Sequence, residues 1–139
     1  MVACRSTREA ASAGPLAPEP IDGQVCAVCG MLVREQPAPR GQVVHRDGTR
    51  AYLCSIGDLR AYLEDRSPHG AAVQVWVEVL PEDFDPGFPP TAGLPWSAAD
   101  AASFVVGVER PLVMGRTVLA FADDGAAHAV AARLSGHAV

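Results

Sequence analysis

Gln42-Val-Val-His45 and Arg50-Ala-Tyr-Leu-Cys54 are two short runs of mostly apolar residues, joined by Arg46-Asp-Gly-Thr49. An Asp-Gly pair between two such runs is a strong signal for a β-hairpin, because glycine supplies the positive φ that a tight turn needs. The stretch therefore predicts two antiparallel strands. The segments that follow extend this unit.

A helix is predicted directly after the second strand. Ser55 can cap residues 56–64 through its hydroxyl oxygen, and Ile56, Leu59 and Leu63 fall on one face of that helix. Ala72-Val-Gln-Val-Trp-Val-Glu-Val79 then alternates as a third strand. The predicted order in this part of the chain is ββαβ.

The same order is predicted a second time near the C-terminus. Residues 102–108 and 117–121 have the pattern of strands, Asp123 or Asp124 caps a helix over residues 126–133, and residues 136–139 close the chain. A half of about 50 residues buries too little surface to be stable alone, so the halves should pack together. The predicted class is α+β, with two packed ββαβ halves whose antiparallel or mixed sheets each carry one helix.

A proline-rich segment over residues 81–95 separates the two halves and is predicted as an irregular linker. The halves then cover residues 21–80 and 96–139. A chain of 139 residues suits one compact domain, so both belong to a single domain over residues 21–139. Residues 1–20 lie outside that domain.

The composition excludes several classes of function. Apolar residues make up 49% of the chain, which is enough for an interior and excludes a wholly disordered protein. A net charge of −5 without a basic cluster argues against nucleic acid as a partner. No apolar run reaches the roughly 18 residues that a membrane span needs. No catalytic triad, phosphate-binding glycine loop or carboxylate pair is evident, so no enzymatic activity is predicted.

The segment Cys26-Ala-Val-Cys29-Gly30-Met31 is the strongest indication of function. Two thiols and a thioether lie within one short turn, and Gly30 lets the backbone bring Cys29 and Met31 together. A thioether is a neutral soft donor that zinc rarely uses and monovalent copper accepts readily. The motif therefore predicts a soft-metal site with Cu(I) as the leading candidate.

Further candidate ligands follow along the chain. Cys54 ends the second predicted strand, and Asp58 lies one helical turn beyond it. This arrangement resembles metal-handling modules of the TRASH and YHS type, with aspartate in place of their last cysteine. Cys26, Cys29, Cys54 and Asp58 can form a tetrahedral Zn(II) site, so a structural-zinc or metal-sensing module stays an alternative. His45, beside the hairpin turn, is a further candidate ligand or else faces solvent.

A closer resemblance covers nearly the whole chain after residue 20. Residues 26–33, residues 53–63, the strand with Trp76, and the segments at 114–117 and 121–127 resemble the NosL family. The resemblance implies a membrane-anchored Cu(I) chaperone that supplies the copper–sulfide centre of nitrous oxide reductase. It also implies a paired ββαβ fold.

The resemblance also bears on the ligand set. Cys29 and Met31 carry the family's Cys-x-Met core, and Met114 matches its second Met-Gly element. Met114 precedes a strand of the second half as the opening motif precedes the strands of the first, so all three are expected to reach one ion between the halves. His69, His128 and His137 are expected to be structural or surface residues.

A rival of another class is a thiol–disulfide oxidoreductase that uses Cys26 and Cys29. Against it, no helix is predicted to start directly after Cys29, and a supporting βαβ unit is missing. The copper chaperone is therefore preferred to the oxidoreductase.

The N-terminus predicts a lipid anchor. Val2-Ala3-Cys4 resembles the end of a bacterial lipoprotein signal, and its apolar region would have to precede Met1. Residues 5–19 are rich in Ala, Ser and Pro and are predicted as a flexible tether. If Cys4 is acylated, three cysteines remain, which a disulfide framework cannot fully pair. The expected location is the cell membrane, facing the periplasm or the exterior.

Overall fold

The computed structural model describes residues 14–87, 93–109 and 117–139. Strands and helices follow the chain as β1 (Gly41–His45), β2 (Arg50–Leu53), α1 (Ile56–Glu64), β3 (Ala72–Glu78), β4 (Trp96–Ala98), β5 (Ser103–Val106), β6 (Val118–Phe121), α2 (Asp124–Leu134) and β7 (His137–Ala138). Short 3-10 helices span Val33–Glu35 and Ala99–Ala101. No helix within the described ranges is both long and apolar enough to cross a bilayer.

The predicted hairpin is confirmed in its strands and its turn. Gly41 of β1 pairs with Leu53 of β2 in an antiparallel ladder. In the turn, Gly48 has a φ of +87° and donates its N–H to the His45 carbonyl at 2.9 Å. Asp47 accepts a hydrogen bond from the Thr49 N–H at 2.8 Å, which stabilises the turn through its side chain.

Helix α1 begins as predicted, but its buried face differs in one position. Ser55 is the N-cap, and its hydroxyl accepts the Asp58 N–H at 3.0 Å. Ile56 and Leu59 are buried as expected. Leu63 was expected on the same face but is 42% exposed, because the partly buried Tyr62 packs against the core at this end of the helix.

Both halves have the predicted ββαβ order and the same topology. The first sheet has the strand order β2-β1-β3-β4 and the second β6-β5-β7, and all pairs in both are antiparallel. Strand β1 therefore lies between β2 and β3, and β5 lies between β6 and β7. Strand β4 adds to the edge of the first sheet beside β3. Asp123, one of the two predicted caps, is the N-cap of α2. Strand β4 was not predicted, because its three residues carry too little pattern.

The interior consists of two apolar clusters, and each contains residues of both halves. Ala120 of β6 belongs to the apolar cluster of the first half, and Phe104 and Val118 pack against that cluster. The Leu80 N–H donates to the Ala120 carbonyl at 2.9 Å, across the boundary between the halves. The expectation that the two halves pack together is thus confirmed.

A fully buried ion pair lies within the first half, between the residue before β1 and the end of β3. Arg40 and Glu78 are both 0% exposed, and the Arg40 guanidinium donates to both carboxylate oxygens of Glu78. Arg40 also donates to the backbone carbonyls of Arg34 and Gln36, at 3.1 Å and 2.9 Å. One side chain therefore connects β3 to the segment that leaves the Cys26–Met31 turn.

The segment predicted as a flexible tether is partly packed on the domain. The Trp76 indole donates to the Leu16 carbonyl at 2.6 Å, and the Tyr52 hydroxyl donates to the Glu19 carboxylate at 2.7 Å. Residues 14–19 thus lie along the first sheet, although the tether was expected to extend to Glu19. Residues 5–13 and Cys4 lie outside the described part of the chain.

Candidate metal centre

The Cys26–Met31 segment forms a tight hairpin turn. The Cys26 N–H donates to the Met31 carbonyl at 2.8 Å, and the Gly30 N–H donates to the Cys26 carbonyl at 3.0 Å. Gly30 has a φ of +76°, a conformation that glycine adopts without the strain a Cβ would cause. The turn buries Cys26 and exposes Cys29.

This turn lies against the end of β2. The Ala27 N–H donates to the Tyr52 carbonyl at 2.9 Å, and the Cys54 N–H donates to the Cys26 sulfur at 3.4 Å. Strand β2 ends at Leu53, so Cys54 follows immediately and faces the turn. Pairing between the turn and the strand end thus brings together thiols that are 25 and 28 residues apart.

Four side chains converge at this junction. The donor atoms of Cys26, Cys29, Cys54 and Asp58 all lie within 4.8 Å of one another. The Cys29 and Cys54 sulfurs are 3.4 Å apart, and the Asp58 carboxylate accepts from the Cys54 thiol at 3.2 Å and the Cys26 thiol at 3.4 Å. Cys26 and Cys54 are buried, Asp58 is half-buried and Cys29 is exposed. The cluster has three inner donors and one at the surface.

The pKa values of the Cys54 and Cys29 thiols are both raised, that of Cys54 by much more. Burial raises the pKa of the Cys54 thiol far above its ordinary value, and its hydrogen bonds with Cys29 and Asp58 raise it further. Desolvation also raises the pKa of Cys29, although the Met31 backbone opposes this effect. A metal ion that binds here must therefore displace protons from thiols.

The donor set suits a thiophilic ion. Three sulfurs can hold Cu(I), a soft ion that accepts thiolate and thioether ligands. Three sulfurs and one carboxylate oxygen also match a tetrahedral Zn(II) site. Residue types and distances therefore allow both ions, and Asp58 is the group that distinguishes them.

Of the two methionines predicted as ligands, the structure describes Met31 but not Met114. Met31 is half-buried at the end of the turn, and its carbonyl closes that turn. Met114 lies outside the described residues, so its expected approach to Cys29 stays a prediction. The sequence pattern predicts Asp58 only as a zinc ligand, and its spacing of one helical turn from Cys54 is the signal for its place in the cluster.

His45 is part of the first half's hydrogen-bond network and does not join the thiols. Its side chain is 3% exposed, so the expectation that it faces solvent is wrong. One ring nitrogen is 2.8 Å from the Gly70 carbonyl and the other is 2.6 Å from the Tyr62 hydroxyl. Both nitrogens are thus engaged inside the protein.

The other three histidines contact nearby polar groups. His69 lies 2.9 Å from an Asp47 carboxylate oxygen, and the ring of His128 is 2.8 Å from the Asp124 carbonyl. His137 is exposed on β7. These positions agree with the structural or surface roles expected for them.

Three comparisons relate this chain to known proteins. The profile of the NosL family matches residues 18–139. The copper-binding lipoprotein NosL of Stutzerimonas stutzeri is 27% identical over a 123-residue alignment, which covers 83% of this chain and 58% of that protein. The crystal structure of the copper chaperone NosL from Shewanella denitrificans superposes with a TM-score of 0.73 at 27% identity, over 91% of this chain and 93% of that one.

Proposed function

The chain belongs to the NosL family, and we propose that it binds Cu(I) and delivers it to an apo-cuproprotein. The observation that carries this proposal is the convergence of the Cys26, Cys29 and Cys54 sulfurs with Asp58 within 4.8 Å. Sulfur ligands of this kind favour Cu(I) over harder ions. The names of the two relatives, a copper-binding lipoprotein and a copper chaperone, support copper as the metal.

The layout of the thiols supports a role in transfer. Cys26 and Cys54 are buried and can retain the ion, whereas Cys29 is exposed and can meet a ligand from another protein. An incoming thiolate or thioether can attack before the Cys29 bond has broken, so copper passes without release into water. A chaperone of this kind needs no catalytic group of its own.

Nitrous oxide reductase is the proposed acceptor. The support is membership of the NosL family. The resemblance of this chain to that family implies delivery to the copper–sulfide centre of the reductase. Met31 and Met114 are proposed as additional thioether ligands, Met31 because it ends the turn that carries Cys29. Thioethers bind more weakly than thiolates and would ease release of the ion to the acceptor.

A direct transfer experiment tests this function. We expect the metal-free, reduced protein to bind one Cu(I) per chain in anaerobic competition with a Cu(I) chelator. The copper-loaded protein is then either mixed with metal-free nitrous oxide reductase or separated from it by a dialysis membrane. We expect the reductase to gain copper only where the two proteins are mixed. Binding of Zn(II) with negligible uptake of Cu(I) would contradict the proposal.

Substitution of Asp58 by asparagine distinguishes the two ions. Asparagine removes the anionic oxygen, so Zn(II) affinity should fall at least about tenfold while Cu(I) affinity changes less than about threefold. Asp65→Asn is the matched control, because Asp65 is the C-cap of the same helix, outside the donor cluster. It should leave both affinities unchanged.

A structural zinc centre is the second candidate function. It is favoured by one observation, the Asp58 carboxylate within reach of the sulfurs of both buried cysteines. In that case Asp58→Asn would lower the thermal midpoint of the metal-loaded protein, because metal binding stabilises the folded state by mass action. Cu(I) would then bind only by displacing zinc.

We also propose that Cys4 carries a lipid anchor that holds the domain on the outer side of a membrane. The S. stutzeri relative is named a lipoprotein, which supports this proposal. Expression from an upstream start should place the protein in the membrane fraction, since two or more acyl chains anchor stably. Cys4→Ser should shift it to the soluble fraction. The proposal fails if no upstream codons encode an apolar signal region.

A further inference from the structure

We propose that Cys29 and Cys54 form a reversible disulfide in the metal-free protein, and that this bond closes the site to copper. The part that concerns copper rests on the proposed function, whereas the bond itself does not. Its basis is the pairing of one exposed thiol with one buried thiol from a different element. The site would then load copper only after reduction.

The distances identify the pair. The Cys29 and Cys54 sulfurs are 3.4 Å apart, already in contact. A shift of somewhat more than 1 Å brings them to the roughly 2.05 Å of a disulfide. Cys29 lies at the exposed tip of a turn closed by only a few hydrogen bonds, so the movement involves one small segment.

Cys26 is held in other interactions. Its side chain is 2% exposed, and its sulfur accepts the Cys54 N–H at 3.4 Å and contacts Asp58 at 3.4 Å. An oxidant in solution therefore meets Cys29 first among the described thiols. The Cys26 sulfur also lies within 4.8 Å of Cys29, but Cys26 is held by the Cys54 N–H and Asp58, whereas the Cys54 sulfur is 3.4 Å from Cys29. This differs from the Cys26–Cys29 pair that the C-x-x-C spacing favours.

The chemistry is thiol–disulfide exchange with a low-molecular-weight disulfide as oxidant. Cys29 gives its proton to solvent, and its thiolate attacks one sulfur of that compound; the S–S bond of the compound breaks, a mixed disulfide forms, and the first external thiolate leaves and is protonated. Cys54 then attacks the Cys29 sulfur, the bond to the external sulfur breaks and the second thiol leaves. The two cysteines lose two electrons and two protons, and the external disulfide becomes two thiols.

Oxidation would remove the two thiols that matter most for exchange. Cys29 is the surface ligand, and Cys54 connects the turn to the start of α1. Only Cys26 would keep a free thiol among the described cysteines, and a disulfide sulfur is a far weaker ligand than a thiolate. Copper loading would thus depend on a reductant that opens the bond.

Peptide mapping tests the assignment. The full chain is used with Cys4→Ser, so that only Cys26, Cys29 and Cys54 carry thiols. Glutathione disulfide should lower the mass of the metal-free protein by about 2 Da, the two thiol hydrogens. Trypsin cuts after arginine here, so a Cys29–Cys54 bond joins the peptides 9–34 and 51–60, whereas a Cys26–Cys29 bond stays within 9–34.

Single variants complete the test. The joined peptides should persist in Cys26→Ser and disappear in Cys29→Ser, and Cys54→Ser should stop at a glutathione adduct because the resolving thiol is missing. A bond within 9–34, a cross-link that needs Cys26, or no cross-link in the metal-free protein would overturn the proposal.

Copper binding separates this proposal from the proposed function. The oxidised protein should bind Cu(I) at least about a hundredfold more weakly, and a reductant should restore binding. Equal binding by both forms would overturn the closing of the site by the disulfide. If the bond forms but the reduced protein binds no Cu(I), the proposed function fails while the disulfide stands.

Discussion

Cu(I) affinity is expected to fall by at least about three orders of magnitude when Cys26, Cys29 and Cys54 are all replaced by serine. Serine keeps the size of each side chain but offers a hard, neutral hydroxyl oxygen where copper needs sulfur. The three sulfurs converge with Asp58 within 4.8 Å, so their joint loss removes the soft-donor cluster. Anaerobic competition with a Cu(I) chelator measures the change.

The single variants apportion this effect. Cys29→Ser should speed the release of copper most, because Cys29 is the exposed ligand. Cys54→Ser should weaken equilibrium binding, because it removes a buried sulfur that contacts Cys29. Cys4→Ser is the matched control, and it should leave the affinity unchanged. A triple variant that binds Cu(I) as tightly as the unaltered chain would show that the ion lies elsewhere.

The largest expected effect on stability comes from Arg40→Met. Arg40 and Glu78 are 0% exposed, and removal of one partner leaves an unpaired charge in the interior. Such a loss costs about 3–5 kcal/mol of unfolding free energy. The carbonyls of Arg34 and Gln36 also lose their donor. Urea unfolding followed by circular dichroism measures the change.

Arg60→Met is the matched control for this experiment. Arg60 and Glu64 form an ion pair on α1, but their side chains are 83% and 65% exposed. An exposed pair contributes at most about 0.5 kcal/mol, so this variant should unfold almost as the original protein does. Similar losses in both variants would contradict the importance assigned to burial.

A second variant tests how Glu78 contributes. Arg40→Met combined with Glu78→Leu removes both charges and should recover part of the stability, because apolar replacements of a buried ion pair are often tolerated. Recovery should be incomplete, because Glu78 also accepts the backbone N–H groups of Arg40 and Leu94, at 3.0 Å and 3.1 Å. If the double variant is as unstable as Arg40→Met, the unpaired Glu78 charge is not the cause of the lost unfolding free energy.

Local signals in the chain were sufficient for most of the architecture. The Asp47-Gly48 turn, the Ser55 cap and the strand pattern of residues 72–79 each depend on neighbours within a few residues, and the structure has the turn, the cap and β3. The burial of β3 does not alternate as predicted, since Val73 is 44% exposed and Glu78 is 0% exposed. The repeated ββαβ order follows from the same kind of signal. The soft-donor motif at residues 26–31 likewise points to a metal from residue types alone.

Local sequence signals could not predict contacts between residues that are distant in the chain. Leu63 has the spacing of a core residue, but Tyr62 occupies the packing position, and His45 is buried by Gly70 and Tyr62. Strand β4 exists because β3 offers it an open edge. Residues 14–19 lie on the sheet because Tyr52 and Trp76 donate hydrogen bonds to them.

The chain's own pattern thus specified the elements and the donor types, because turns, caps and alternation are short-range properties of the backbone. The resemblance to metal-handling modules names Cys26, Cys29, Cys54 and Asp58 as one possible site, but only tertiary packing decides that these donors meet. Cys29 and Cys54 are 25 residues apart in the chain, and their 3.4 Å contact arises because the turn pairs with the end of β2 through Ala27 and Tyr52. Residue spacing carries no information about that pairing, since it depends on how two separate segments dock.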